Sequence, residues 1–109
     1  MITVTAFREQ GTVVGFRVTG HANMGAYGED LVCAAVSAVV QTAILGISEV
    51  CKIPAGVSIE EGQTSCILEK GVTKEQQARA SIVFDTMMLG LKSIQASYPK
   101  TLKFRNKEV

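Results

Sequence analysis

The chain has 109 residues, 47% of them hydrophobic and 19% charged, which suits one globular domain over residues 1–109 with one core. Its formal net charge of +1 argues against a general nucleic-acid or membrane-surface binder, which carries a strong basic bias. Three cysteines, Cys33, Cys51 and Cys66, are an odd number, and Met1-Ile2-Thr3-Val4 reads as a strand rather than as a secretory signal, so a reducing cytoplasm is expected rather than a disulfide framework.

Residues 2–8 carry Ile, Thr, Val and Phe in loose alternation and suit a strand. Gln10-Gly11 reads as a turn. Residues 12–19 give a second strand, with Val14, Phe16 and Val18 on one face and Arg17 and Thr19 on the other. The two strands form a hairpin that ends at Gly20. The next stretch, residues 20–29, holds three glycines and keeps no period, so a mobile loop is expected between strand and helix, a usual place for function.

Asp30 is a suitable N-cap for a helix from Leu31 to about Cys51. The uncharged run from Leu31 to Ser48 approaches membrane-spanning length but contains Ser37, Gln41, Thr42 and Gly46, and reads as a buried helix. It is apolar nearly all round, so cover on both sides is expected, from a sheet and from the second helix or a partner subunit. Pro54 and Gly56 end the segment. Residues 57–60 and 64–69 make a second strand pair around Glu61-Gly62-Gln63. Thr73 and Gln76 form a capping box that opens a helix to about Ser97, with an apolar stripe of Val83, Met87, Leu91, Ile94 and Tyr98. Pro99 stops it, and residues 101–106 give a last strand. Lys100, Lys103, Arg105 and Lys107 cluster there, as a solvated strand face or a weak docking surface. The order ββαββαβ implies an α+β layered domain, two helices packed on a mostly antiparallel sheet.

The chemistry-bearing residues converge on one segment. With Asp30 as cap, Cys33 falls in the first helical turn, whose unpartnered N–H groups and macrodipole stabilise a negative charge by roughly 0.3–1 kcal/mol. An ordinary thiol, with pKa near ~8.5, is only a few per cent thiolate at neutral pH, so the helix end does not suffice. The chain's single imidazole, His21, lies twelve residues before Cys33 and can supply the rest through a thiolate–imidazolium pair. The same N–H groups can donate to an oxyanion. Nucleophile, base and oxyanion site together suit acyl transfer. Against this, an unassigned Cys in an apolar helix is usually core, the reading given to Cys51 and Cys66. Asp30 reads as a cap, or as a group that orients His21. Ser37, one turn after Cys33, reads as a small packing residue, and Gly20 as conformational or as a hinge. No cysteine pair has zinc-site spacing, so no metal and no cofactor is expected.

The segment Gly20-His21-Ala22 followed by Gly28-Glu29-Asp30-Leu31-Val32-Cys33-Ala34-Ala35-Val36-Ser37 closely resembles the ribosomal-processing cysteine proteases of the Prp family. The resemblance implies a cytoplasmic endopeptidase that removes the N-terminal extension of a large-subunit ribosomal protein precursor, cutting after an aromatic residue. It implies Cys33 as nucleophile and His21 as general base. Asp30 and Ser37 are then supporting residues, Gly20 is a loop hinge, and the protein is a homodimer with no membrane or direct nucleic-acid partner. Three other readings stay open. One is a non-catalytic module that binds a ribosomal protein or the ribosome, for which Cys33 would be dispensable. The second is a redox protein, which would lack a C-x-x-C partner. The third is an RNA-binding module, weakened by the low charge and six aromatic residues.

Overall fold

The computed structural model describes residues 1–20 and 27–109. The chain runs β1 (Ile2–Glu9), β2 (Thr12–Thr19), α1 (Tyr27–Leu45) with a π-helical turn at Gly46–Val50, β3 (Ala55–Glu60), β4 (Gln63–Leu68), α2 (Lys74–Ser97) and β5 (Leu102–Glu108). The expected ββαββαβ order holds. The five strands form one sheet in the order β3-β4-β2-β1-β5. All neighbours are antiparallel except β1 and β5, which pair parallel.

Alternation along the strands separates two faces of the sheet. Ile2, Val4, Ala6, Phe16, Val18, Cys66 and Leu102 are buried, and the register joins them in cross-strand rows such as Val4–Val18 and Phe16–Cys66. The other face is more polar, with Thr3, Thr5, Arg17 and Thr19 in register. There the Arg17 guanidinium lies over the Phe7 ring at 5.3 Å, an attractive contact with the ring's π face. Lys103, Arg105 and Lys107 pair with Thr3, Thr5 and Phe7 and are exposed, so this basic cluster lies along a solvated strand face. Between Phe7 and Arg8 the register shifts, and Val14 is the extra residue of that bulge. Gly15 lies beside it. A Cβ there would come within 2.8 Å of the Ile67 Cα, so β2 and β4 approach closely only because the side chain is absent.

α1 begins at Tyr27, four residues earlier than expected, and this corrects the sequence reading in two ways. Asp30 is a helical residue of the first turn rather than the N-cap. The expected loop of residues 20–29 also loses its last three members to the helix; residues 21–26 lie outside the described part. Val32, Val36, Val40, Ala43, Ile44 and Ile47 are buried and give α1 its inward stripe. Leu31–Val50 is long and apolar enough to cross a membrane by length and composition, yet only 33% of its apolar window is buried. Within the single chain, α2 therefore covers the outer side of α1 only in part. A groove of Ala38, Val39, Gly46, Val83 and Met87 between α1 and α2 stays open. The helix carries its hydroxyls at low cost because they bond to its own carbonyls, Thr42 Oγ1 to Ala38 at 2.7 Å and Ser48 Oγ to Ile44 at 2.9 Å.

α2 opens as the sequence implies. Thr73 Oγ1 accepts from the Gln76 N–H at 3.0 Å, and the Gln76 side chain accepts from the Thr73 N–H at 2.8 Å. Its core stripe is Ala80, Phe84, Met87, Met88 and Leu91, which shifts the expected stripe by part of a turn. Val83 is half-buried against the α1 groove. Phe84 is fully buried and meets Phe16 edge to face with ring centroids 5.8 Å apart, a preferred aromatic geometry.

Candidate active site

A cleft of about 170 Å³ opens at the end of the sheet where β2 hands over to α1. Its floor is Ile2, Val18 and Val36, all buried. One wall is the row Cys33, Ser37 and Gln41 of α1, and the other is the tip of the β3–β4 hairpin with Ile59, Gly62 and Thr64. Gly20 closes the end.

Folding places these residues by identifiable local means. Cys33 and Ser37 are one turn apart on α1, so both face the same side. Cys33 is half-buried and packs against the core cluster, while Ser37 is exposed. Of the sequence-predicted site residues, the structure thus brings Cys33, Ser37 and Gly20 to one cleft. His21 lies outside the described residues, as does the side chain of Asp30.

Gly20 is fixed in three ways. Its φ is +90°, which L side chains rarely adopt. A Cβ on it would collide with the Met1 carbonyl oxygen. Its N–H donates to the Gly62 carbonyl at 3.0 Å, tying the end of β2 to the hairpin tip. The residue from which the chain departs toward His21 is thereby held against both β1 and the opposite wall of the cleft.

The early start of α1 also changes the electrostatics at the sulfur. Cys33 is the seventh residue of the helix, beyond the first turn where unpaired N–H groups and most of the dipole effect reside. The expected first-turn placement is therefore corrected, and the helix end contributes less to a thiolate at Cys33 than the sequence implied.

The other two cysteines separate cleanly from Cys33. Cys66 is fully buried between Phe16 and Val57 in the sheet register, and burial pushes its thiol up to about 11, since removal from water penalises the thiolate. It is a core residue, as expected. Cys51 follows the π-helical turn, donates its N–H to the Gly46 carbonyl at 2.9 Å and packs against the core. None of the three cysteines forms a disulfide. Among the described residues, no group of three or more His, Cys, Asp or Glu side chains could hold a metal ion.

Sequence reasoning missed Gln41, Ile59 and Thr64. Gln41 had a detectable signal, a polar side chain two turns after Cys33 in an otherwise apolar helix. The hairpin residues had none, since only the fold brings them to α1.

The family described as cysteine protease Prp matches residues 1–103. The ribosomal processing cysteine protease Prp of Bacillus subtilis (strain 168) is 28% identical over 103 residues, 93% of this chain and 91% of its own. Its namesake from Staphylococcus aureus (strain Mu50) is 26% identical over 108 residues, 98% of this chain and 100% of its own. Among solved structures, the essential ribosomal processing protease Prp from S. aureus, in complex with a covalently linked product peptide, superposes with a TM-score of 0.81 at 25% identity. That match covers 98% of this chain and 100% of the other. SMU.848 from Streptococcus mutans shares the fold with a TM-score of 0.82 at 24% identity, covering 100% and 96% of the two chains.

Proposed function

The chain belongs to the cysteine protease Prp family, and from that premise we propose that it is a Cys–His endopeptidase acting on a ribosomal protein precursor. It removes the precursor's N-terminal extension, cutting after an aromatic residue. The observation that carries this reading is Cys33 at the wall of a solvent-open cleft in a fold that superposes on a Prp bearing a covalently linked product peptide.

In this mechanism the Cys33 thiolate attacks the scissile carbonyl carbon and forms a C–S bond. His21, protonated as its partner, donates that proton to the leaving amine as the C–N bond breaks. Water then attacks the thioester, His21 takes the water's proton, and the acid product leaves as the sulfur regains its charge. Because Cys33 lies past the first turn of α1, the imidazole carries most of the stabilisation of the thiolate. Gly20 supports the site as the fixed point from which the segment bearing His21 departs. Ser37 offers a hydroxyl one turn from the sulfur, and Asp30 orients His21.

The protein acts in the cytoplasm, to which its three unbridged cysteines are suited. It acts as a homodimer, a reading supported by the apolar surface that α1 and α2 leave uncovered. Neither a membrane nor a nucleic acid takes part directly.

Incubation with the full-length precursor, followed by mass spectrometry, tests the assignment. The wild type should yield the shortened protein and the released extension. Cys33→Ala should yield neither while keeping its circular dichroism spectrum. His21→Ala should lose most activity and the limb of the pH–rate profile set by an imidazole. Processing by Cys33→Ala at the wild-type rate would refute the nucleophile, whereas a wild type that binds the precursor without cutting it would favour the non-catalytic binding module.

A further inference from the structure

The cleft extends well past Cys33. Cys33, Ser37 and Gln41 occupy every fourth position of α1 and line the same wall. At 1.5 Å of rise per residue, Gln41 lies about 12 Å along the helix from the sulfur-bearing residue. Across the cleft, Ile59 and Thr64 are cross-strand partners, and Thr64 in turn faces Val18 of the floor. Ile59 belongs to β3, the edge strand of the sheet, and is 57% exposed although it lines a cleft. Val57, two residues back and on the same face, is 43% exposed. A large apolar side chain left open to water inside a cleft gains free energy when something covers it. An extended peptide advances ~3.3 Å per residue, so about 12 Å of groove accommodates three to four residues beyond the reacting carbonyl.

We propose that Gln41 and Ile59 form a specificity subsite for an apolar side chain of the substrate, three or four residues from the scissile bond. Ile59 covers that side chain. The Gln41 amide, which offers both donors and an acceptor, bonds the adjacent peptide group. The subsite rests on the reading of Cys33 as nucleophile, because its register is counted from that sulfur. Both residues are exposed, so replacing them leaves the core intact.

The test compares Ile59→Ser and Gln41→Ala with wild type on a precursor peptide carrying at least four residues on each side of the cut. Two further peptides are trimmed to two residues, one on the acyl side and the other on the leaving side. Each variant should lose about tenfold in kcat/KM on the long peptide, chiefly through KM, and the loss should disappear with one of the trimmed peptides. Independently, Ile59→Ser placed in the inert Cys33→Ala protein should weaken binding of the long peptide about tenfold by fluorescence anisotropy. Equal slowing of all three peptides, or cleavage and binding unchanged by both substitutions, would overturn the subsite while leaving the protease assignment standing. Failure of the wild type to cut any of the peptides or the precursor would overturn both.

Discussion

At the scale of single residues, three cysteines in one small domain take different parts because their surroundings differ. Cys33 borders a cleft, Cys51 closes a helical turn and Cys66 is locked inside the sheet. For Cys66 the consequence is measurable as a pH dependence. Its thiol is raised to about 11 by burial, while in the unfolded chain it returns toward the ordinary cysteine range, near ~8.5. Between those values the unfolded chain releases the proton and the folded one keeps it, so stability is fully present below the lower value and declines as pH rises through the window. Urea midpoints from pH 8 to pH 10.5 should therefore fall more steeply for wild type than for Cys66→Ala. Parallel curves would show that the buried thiol does not contribute. Gly20 makes a complementary point, since a position that reads as a flexible hinge from sequence is held by a hydrogen bond, a steric contact and a left-handed backbone conformation.

At the scale of elements, the capping box of α2 carries a clear expectation. Replacing Thr73 by Ala removes the acceptor for the Gln76 N–H and should cost about 1 kcal/mol, typical for loss of an N-cap, read from chemical denaturation at neutral pH. Elements of this kind were legible because their signals are local. Alternating Val and Phe marked β1 and β2, and the Thr-x-x-Gln box fixed the start of α2. Where two local signals competed, the reading failed. Asp30 has the chemistry of a cap, but α1 already starts at Tyr27, so the sulfur of Cys33 lies one turn deeper in the helix. The stripe of α2 was displaced because Phe84 was passed over, although its ring against Phe16 fixes which side of the helix meets the sheet. Of the residues that line the cleft, Gly20 was legible at the start of the glycine-rich stretch, and Cys33 and Ser37 in the helix that follows it. Ile59 and Thr64 were not, since their place beside α1 depends on long-range pairing of β4 with β2.

For the molecule as a whole, the uncovered side of the helix pair is the feature that points to a partner subunit. Leu45, Ile82 and Leu89 are 57%, 68% and 69% exposed, flanking the groove between α1 and α2. Sedimentation velocity should show a dimer, and Ile82→Glu should shift it to monomer without altering the circular dichroism spectrum, because a charge in an apolar contact is strongly unfavourable. Monomer alone at every concentration would refute the homodimer.

The parallel pairing of β5 with β1 has a consequence for biosynthesis. Ile2 lies opposite Leu102, so β1, on leaving the translating ribosome, meets one of its two neighbours only after about a hundred further residues have been polymerised. Until then it can zip up with β2, but its far side stays bare. Completion of the fold is gated by that distant encounter, whose loop-closure cost falls late. During this interval the nascent enzyme offers an unsatisfied backbone to other chains in its neighbourhood.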